Sequence, residues 1–261
     1  AIGFALVALG RSSSLMNEAM ERLSTGKRMN KASDDPAGIH QVMRLNAEIQ
    51  GIETASKNAA DGQSLIDTLD TSLSEVQSIL LRMREMTIQA ISDTNSAADR
   101  LALDSELSQL ELEITRIGST TSFGGKPVFD GNLHYLQIGP RSGNTLEVQA
   151  YTLSASTLGL TQDLMTRHNA ENYLGTIDTA IDDINEKRGA AGALSNRLDF
   201  IMSNLDNSRV NLIKSRSILE DADFAAESVK LAKAKILEQV AIAMIAQANA
   251  RTQWILKLLE N

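Results

Sequence analysis

Residues 52–83 read IETASKNAADGQSLIDTLDTSLSEVQSILLRM, and their spacing sets the architecture that the sequence predicts. Small or apolar residues recur at alternating steps of three and four, at Ile52, Ala55, Ala59, Gly62, Ile66, Leu69, Leu73, Val76, Leu80 and Met83. Such a repeat gives a helix one continuous apolar seam, which packs lengthwise against other helices. No proline interrupts residues 37–93. The stretch therefore predicts a long helix inside a helical bundle.

The same spacing returns on the other side of a short polar segment. After DTNSAAD (residues 93–99), which is turn-prone, apolar residues again follow helical spacing, at Leu103, Leu107, Leu110, Ile114 and Ile117. Two helices joined by so short a turn fold back as a hairpin. Helical spacing resumes over residues 174–219 and again from Phe224 to the end. Pairing the N-terminal half of the chain with the C-terminal half would bury both seams.

The middle of the chain, residues 122–165, has a different character. Two of the three prolines lie here, and the alternating runs LHYLQIG and TLEVQAYTL flank PRSGN, which predicts two strands and a turn. The predicted fold is mainly α. It is a long antiparallel helical bundle or rod with a small β-hairpin region in the middle, and its N- and C-terminal halves pack together.

Composition excludes several classes of function. The net charge of −8 and the pI of about 5.0 give no electrostatic footprint for nucleic acid or acidic lipid. The chain has no cysteine, so thiolate metal sites and cysteine nucleophiles are excluded. No run approaches the roughly 18 apolar residues that a membrane span needs. The first ten residues, AIGFALVALG, predict the start of a packed helix rather than a signal-peptide remnant.

One stretch invites a catalytic interpretation. LSTGKRMNKASDDPAGI (residues 23–39) places a Gly-Lys pair near two aspartates, as a phosphate loop with metal ligands would. The phosphate-loop pattern needs a glycine where Glu21 stands and a Ser or Thr where Arg28 stands, and a strand leading into it. None of these is present, so a phosphate loop is not predicted.

Helix capping explains the same stretch better. Gly26 suits the position after a helix end, where φ is positive. Asp35 is a good N-cap, and Pro36 fits the first position of the next helix. Elsewhere the three histidines are scattered, and no metalloprotease, calcium-loop or nucleophile-elbow pattern occurs. We therefore expect no catalytic residue, no metal and no cofactor.

The chain resembles bacterial flagellins in several long stretches that occur in the same order. These are MERLSTGKRMNKASDDPAG (20–38), ASKNAADGQSLIDTLDTSLSEV (55–76), LRMREMTIQA (81–90), TTSFGGKPVFDG (120–131), LQIGPRSGNTLEV (136–148), NRLDFIMSNLDNSRVNLIKSRSILEDADFAAE (196–227) and ILEQVAIAMIAQANA (236–250). The short central region makes it similar to a minimal flagellin. The alternatives are a hook–filament junction protein, which shares the terminal helices, and a surface protein that binds a ligand such as a polysaccharide. SFGGK together with LQIG favours a filament flagellin.

The resemblance implies a non-enzymatic subunit that polymerises into a helical filament for motility. It divides the chain into an inner-domain helix with a spoke linker (1–33), the N-terminal half of a rod domain (34–121), the small β region (122–165), the C-terminal half of the rod (166–222) and a C-terminal inner helix (223–261). The residues expected to make polymer contacts are Ile236, Val240, Met244, Ile245, Ile255, Leu258 and Leu259.

The resemblance also implies partners and a location. It predicts secretion through the flagellar export apparatus to the extracellular flagellum, an export chaperone at the C-terminal segment, contacts with cap and junction proteins, and no nucleic-acid or membrane partner. In hosts, the vertebrate Toll-like receptor for flagellin is expected to recognise the monomer. The implied receptor patch is Leu80, Arg82, Glu85, Met86 and Glu106.

Overall fold

The computed structural model describes the backbone of residues 2–259 and the side chains of residues 3–251. Within that range the chain forms five helices and four short strands. The helices are α1 (Ile2–Thr25), α2 (Pro36–Ile91), α3 (Ala97–Thr120), α4 (Arg167–Glu220) and α5 (Phe224–Leu259). The strands are β1 (Ser122–Phe123), β2 (Lys126–Pro127), β3 (Leu133–Gln137) and β4 (Thr145–Gln149). The mainly α fold expected from the sequence is confirmed.

The chain divides into two compact units. One is built from the chain up to Ile49 together with the chain from Val210 onward, and the other is Gln50–Arg209. Helices α2 and α4 each contribute to both units. The division into five segments made from the sequence follows the chain and not this clustering, and it stays a prediction.

The core of the Gln50–Arg209 unit lies where α2, α3, α4 and the β region meet. Every residue of the seam in residues 52–83 is buried, which confirms the long packed helix. Tyr173 and Ile177 of α4 and Ile114 of α3 fill the same core. Polar contacts hold α2 and α4 in register: Arg188 pairs with Asp70 at 2.8 Å.

The α2–α3 turn is defined by a capping box. Ser96 caps α3 by accepting a hydrogen bond from the Asp99 backbone N–H, and the Asp99 carboxylate accepts one from the Ser96 N–H at 2.9 Å. Arg100 then donates to the carbonyl of Ala90 at 2.9 Å, which ties the start of α3 to the end of α2. The DTNSAAD segment forms the helical hairpin that its polarity predicts.

The β region consists of two antiparallel hairpins. In β3–β4, Tyr135 lies opposite Glu147. Pro140, at the tip of this hairpin, packs closely against Gly51 of α2: a Cβ added at Gly51 would lie 2.7 Å from the Cβ of Pro140. In β1–β2, Gly124 and Gly125 form the turn with φ of 58° and 79°. The sequence analysis predicted the first hairpin and missed the second, although two glycines between short strand-like pairs are a recognised signal for such a turn.

A buried tyrosine links α4 to α3 and makes stability depend on pH. The Tyr173 hydroxyl donates to the Glu111 carboxylate at 2.5 Å. Burial, together with the hydrogen bond to Glu111, raises the pKa of Tyr173. Because the unfolded tyrosine ionises near its ordinary pKa of 10.0 while the folded one keeps its proton, stability should fall as pH rises above that value.

We expect Tyr173→Phe to lower the free energy of unfolding at pH 7 by about 1.5 kcal/mol, since it removes a hydrogen bond to a carboxylate. The fall in stability above pH 10.0 should become shallower, but not vanish, because burial also raises the pKa of Tyr151. Urea denaturation at several pH values measures both effects. Tyr135→Phe is the matched control, since Tyr135 is exposed and the loss of its hydroxyl should cost little stability at pH 7.

Candidate functional site

The joint between α1 and α2 is built by capping. Gly26 follows α1 with a φ of 71°, and its N–H donates to the carbonyl of Arg22 at 2.8 Å. At the other end of the joint, Pro36 is the first residue of α2, and the Asp35 carboxylate accepts a hydrogen bond from the Gly38 N–H at 2.9 Å. These contacts end one helix and begin the next, so the stretch gives the chain a defined bend rather than a cradle for phosphate.

The segment after Gly26 is also paired with the end of α4. The Arg28 N–H donates to the Glu220 carbonyl at 2.7 Å, and the Ala222 N–H donates to the Gly26 carbonyl at 2.9 Å. The Lys27 ammonium lies 2.5 Å from the Glu220 carboxylate. Residues 26–28 and 220–222 therefore form a short antiparallel bridge. It lies just after the end of α1 and just before the start of α5.

Helices α1 and α5 pack against each other as an antiparallel pair. Small side chains lie buried on the contact face, with Ser12 and Ala19 on α1 and Ala234 and Ala241 on α5. Small residues at these positions allow two helices to approach closely. The pair buries one stripe of each helix and leaves the flanks of both helices open.

A buried ion cluster fixes the base of this pair. Glu227 of α5 is only 5% exposed, and its carboxylate lies 2.7 Å from Lys230 and 3.3 Å from Arg22 of α1. Arg22 also contacts Glu18 at 2.6 Å. Burial opposes ionisation of Glu227, but hydrogen bonds from Lys230 and Arg22 outweigh it and hold its pKa below the ordinary value. Glu227 is therefore a charged tie between the two helices.

Above this base, the flanks of the pair expose large apolar side chains. Of the residues proposed for polymer contacts, Ile236, Val240 and Met244 are 61%, 53% and 57% exposed, and Ile245 is half-buried. Ile255, Leu258 and Leu259 lie outside the residues whose side chains the structure describes. Phe4, Val7 and Leu15 of α1 and Leu237 and Val229 of α5 are exposed as well. Apolar surface this dense marks an interaction site.

A groove runs between the two helices on one flank. It has a volume of about 690 Å³, and most of its lining is apolar. Phe4, Ala8 and Leu15 come from α1, and Val240 and Met244 come from α5. The groove is the size of a binding site, and five of the exposed apolar residues described above line it.

A second candidate site lies on α2 and α3 in the Gln50–Arg209 unit. Arg82 is exposed, and its guanidinium donates to the Glu106 carboxylate through Nη2 at 3.0 Å and Nε at 3.3 Å. A further contact joins Arg82 to Glu85 at 3.4 Å. The hydrogen bond to Glu106 raises the pKa of Arg82 above its ordinary value. The fold thus brings Arg82, Glu85 and Glu106 together on one surface, where one guanidinium contacts two carboxylates.

The other two residues of the implied receptor patch do not lie on that surface. Leu80 and Met86 are buried in the core between α2, α3 and α4, so placing them in an exposed patch was wrong. Leu80 belongs to the apolar seam, and Met86 follows Met83 at the next step of three. Near Arg82 on α2, Leu81 and Ile88 are exposed large apolar residues, which the sequence analysis missed although both are out of phase with the seam.

Neither site contains a metal-binding constellation. Across the described residues, no group of three or more His, Cys, Asp or Glu side chains is arranged to hold a metal ion. No helix within residues 2–259 has both the length and the apolar character for crossing a membrane.

Comparison with known proteins agrees with this picture. The family described as bacterial flagellin N-terminal helical region matches residues 5–134, and the bacterial flagellin C-terminal helical region matches residues 174–259. Flagellin of Halalkalibacterium halodurans is 40% identical over 247 residues, which cover 93% of this chain and 91% of that protein.

Solved structures give the same answer. The crystal structure of Bacillus cereus flagellin, at 35% identity, matches with a TM-score of 0.53 over 57% of this chain and 88% of that chain. A flagellar hook-associated protein from Vibrio parahaemolyticus matches with a TM-score of 0.62 over 72% of this chain and 99% of that chain, but at 15% identity it shows a shared fold alone. With flagellin regions matched over most of its length, this chain belongs to the bacterial flagellin family and is a structural subunit of the flagellar filament.

Proposed function

We propose that copies of this chain polymerise through the flanks of the α1–α5 pair. The observation that supports this is the density of exposed apolar side chains there, on a pair of helices whose own contact face is already buried. Burying such surface against a neighbour gains about 25 cal/mol for each Å² removed from water. A neighbour on each flank would cover Ile236, Val240 and Met244, and on this proposal Ile245, Ile255, Leu258 and Leu259 extend the same contact.

The test is the growth of filaments from short seeds. Val240→Asp would place a carboxylate in a desolvated contact, which costs several kcal/mol, so we expect elongation to slow by at least about tenfold. Val210→Asp is the matched control, because Val210 is also exposed and belongs to α4 and not to either helix of the α1–α5 pair. Electron microscopy measures filament length. Equal growth of both variants would remove the α1–α5 pair as the assembly surface.

We further propose that this surface needs protection before assembly. The same apolar flank of α5 would bind an export chaperone during secretion through the flagellar export apparatus, and cap and junction proteins would meet it at the filament ends. Val240→Asp should weaken chaperone binding to the full-length chain in a calorimetric titration, while Val210→Asp should not. Unchanged binding by both variants would place the chaperone elsewhere.

The Arg82 surface supports a second function, recognition of the monomer by the vertebrate Toll-like receptor for flagellin. Arginine is frequent at protein–protein hot spots because it combines a planar set of donors with an apolar stem. Arg82 is paired with Glu106 at 3.0 Å, and this contact favours one orientation of its exposed guanidinium.

We expect Arg82→Ala to reduce receptor activation by monomer about tenfold. Arg84→Ala is the matched control: Arg84 lies two positions away on α2, pairs with Asp178 of α4 at 2.6 Å, and faces a different side of the helix. A reporter assay with purified monomer measures both. Equal losses for the two variants would count against a receptor contact at Arg82.

A further inference from the structure

The groove between α1 and α5 carries positive charge at its rim. Arg11 of α1 and Lys233 of α5 line the groove, and both residues are exposed. Within residues 3–251, neither cation has a carboxylate partner. Among the described residues that line the groove there is no acidic side chain. The rim is therefore a local site of positive charge on a chain whose net charge is −8.

The walls of the groove are apolar and offer little other polar recognition. Ser12 is the one neutral polar side chain in the described lining, and its hydroxyl donates to the Leu9 carbonyl at 3.0 Å. That proton is already used inside α1, so a ligand would be recognised through the two cations and the apolar walls. The volume of about 690 Å³ lies in the range of small-molecule sites. The apolar lining residues are Phe4, Ala5, Ala8, Leu15, Leu237, Val240, Ala241 and Met244.

The carboxylates near one end of the groove are already paired. A smaller hollow of about 320 Å³ adjoins the groove at the base of the helix pair and shares Lys233 with it. The acidic residues of this hollow are Glu18 and Glu227, which are paired with Arg22 and Lys230. These ion pairs weaken the repulsion that an anion would meet at this end, and they leave Lys233 free to attract it.

We propose that the groove binds one free amphipathic anion of the fatty-acid class. The alkyl chain lies between the apolar walls, and the carboxylate lies at the rim, where Arg11 and Lys233 attract it. A neutral apolar molecule would leave both cations unused, and a cationic one would be repelled. The walls supply affinity, because each methylene removed from water strengthens binding about fourfold. This site goes beyond the proposed assembly, since a single folded copy contains all of its residues.

Calorimetric titration of the full-length chain with dodecanoate, below the concentration at which it forms micelles, tests the site. We expect one saturable site per chain. Decanoate has two methylenes fewer and should bind about tenfold more weakly. Dodecyltrimethylammonium has the same chain length and the opposite charge, and it should also bind about tenfold more weakly. Non-specific adsorption to a chain of net charge −8 would favour the cationic amphiphile instead, so a preference for the anion reports the local cations.

Removing both rim charges tests which residues carry this preference. Arg11→Gln combined with Lys233→Gln should weaken dodecanoate binding about tenfold and abolish the preference over dodecyltrimethylammonium. Both positions are exposed, so the fold should be kept, and far-ultraviolet circular dichroism checks this. Arg44→Gln combined with Lys214→Gln is the matched control. It removes two exposed cations from α2 and α4, and its affinity for dodecanoate should equal that of the unmodified chain.

Several results would overturn the site. They are equal binding of the two amphiphiles by the unmodified chain, equal losses of affinity in the two double variants, and binding that does not saturate at one molecule per chain. Vesicles of phosphatidylglycerol distinguish a membrane surface from a free ligand, and a chain that binds them but not dodecanoate would also overturn it. None of these measurements involves filaments, so normal growth of Val240→Asp would remove the assembly surface and leave this site standing.

Discussion

Gly118→Ala is expected to lower the free energy of unfolding by about 3 kcal/mol. Gly118 is buried in the last turn of α3, and a Cβ placed there would lie 1.9 Å from the carbonyl oxygen of Leu153 and 2.8 Å from its carbonyl carbon. Both are backbone atoms, so no side-chain rotation can relieve the overlap. Either the end of α3 or the segment after β4 must move, and Leu153 itself is buried beside the core.

The sign of this effect is what makes it informative. In an unobstructed helix the same substitution stabilises by up to about 1 kcal/mol, because alanine has the higher helix propensity. Gly175 of α4 provides that case, since no atom lies within 4 Å of its added Cβ. Urea denaturation followed by circular dichroism should move the midpoint down for Gly118→Ala and up for Gly175→Ala. A stabilised Gly118→Ala protein would contradict the close approach of α3 and Leu153.

Leu80→Ala is expected to cost about 3 kcal/mol, because it leaves a cavity in the core of the Gln50–Arg209 unit. Its neighbour Leu81 is 49% exposed, so Leu81→Ala should cost less than about 1 kcal/mol. The two substitutions remove the same atoms from adjacent positions, and the urea midpoint measures their difference.

The comparison of Leu80→Ala with Leu81→Ala also serves as a stability control for the receptor assay. A weaker signal from Leu80→Ala would follow from the loss of folded protein and not from a lost receptor contact. Comparable destabilisation by both leucine substitutions would contradict the burial of Leu80 and the exposure of Leu81.

The long helices could be predicted from the sequence because their seam is regular. Steps of three and four over many turns leave one face to bury, and Leu73, Val76 and Met83 are buried accordingly. Capping was equally local, since Gly26, Asp35 and Pro36 need only their immediate neighbours. Features that depend on one residue and its near neighbours could therefore be predicted from the sequence.

The candidate sites were harder to predict from the sequence, for two different reasons. Leu80 was assigned to an exposed patch by resemblance although its position in the seam already indicated burial, so the periodicity was the better guide. The proximity of Gly118 to Leu153 and the pairing of Arg22 with Glu227 join distant parts of the chain. No local spacing encodes such contacts, and only the folded coordinates reveal them.

The tie between Arg22 and Glu227 has a consequence for the order in which the chain can fold. These residues are 205 positions apart in sequence, and closing so long a loop is slow compared with forming contacts inside Gln50–Arg209. Helix α1 is synthesised before α5, and on this argument their pairing forms after the contacts inside Gln50–Arg209. While α5 is held elsewhere, α1 has no helix to pack on and the groove between them does not exist. On the assembly surface that we propose, a subunit would become able to join another only after α5 has packed against α1.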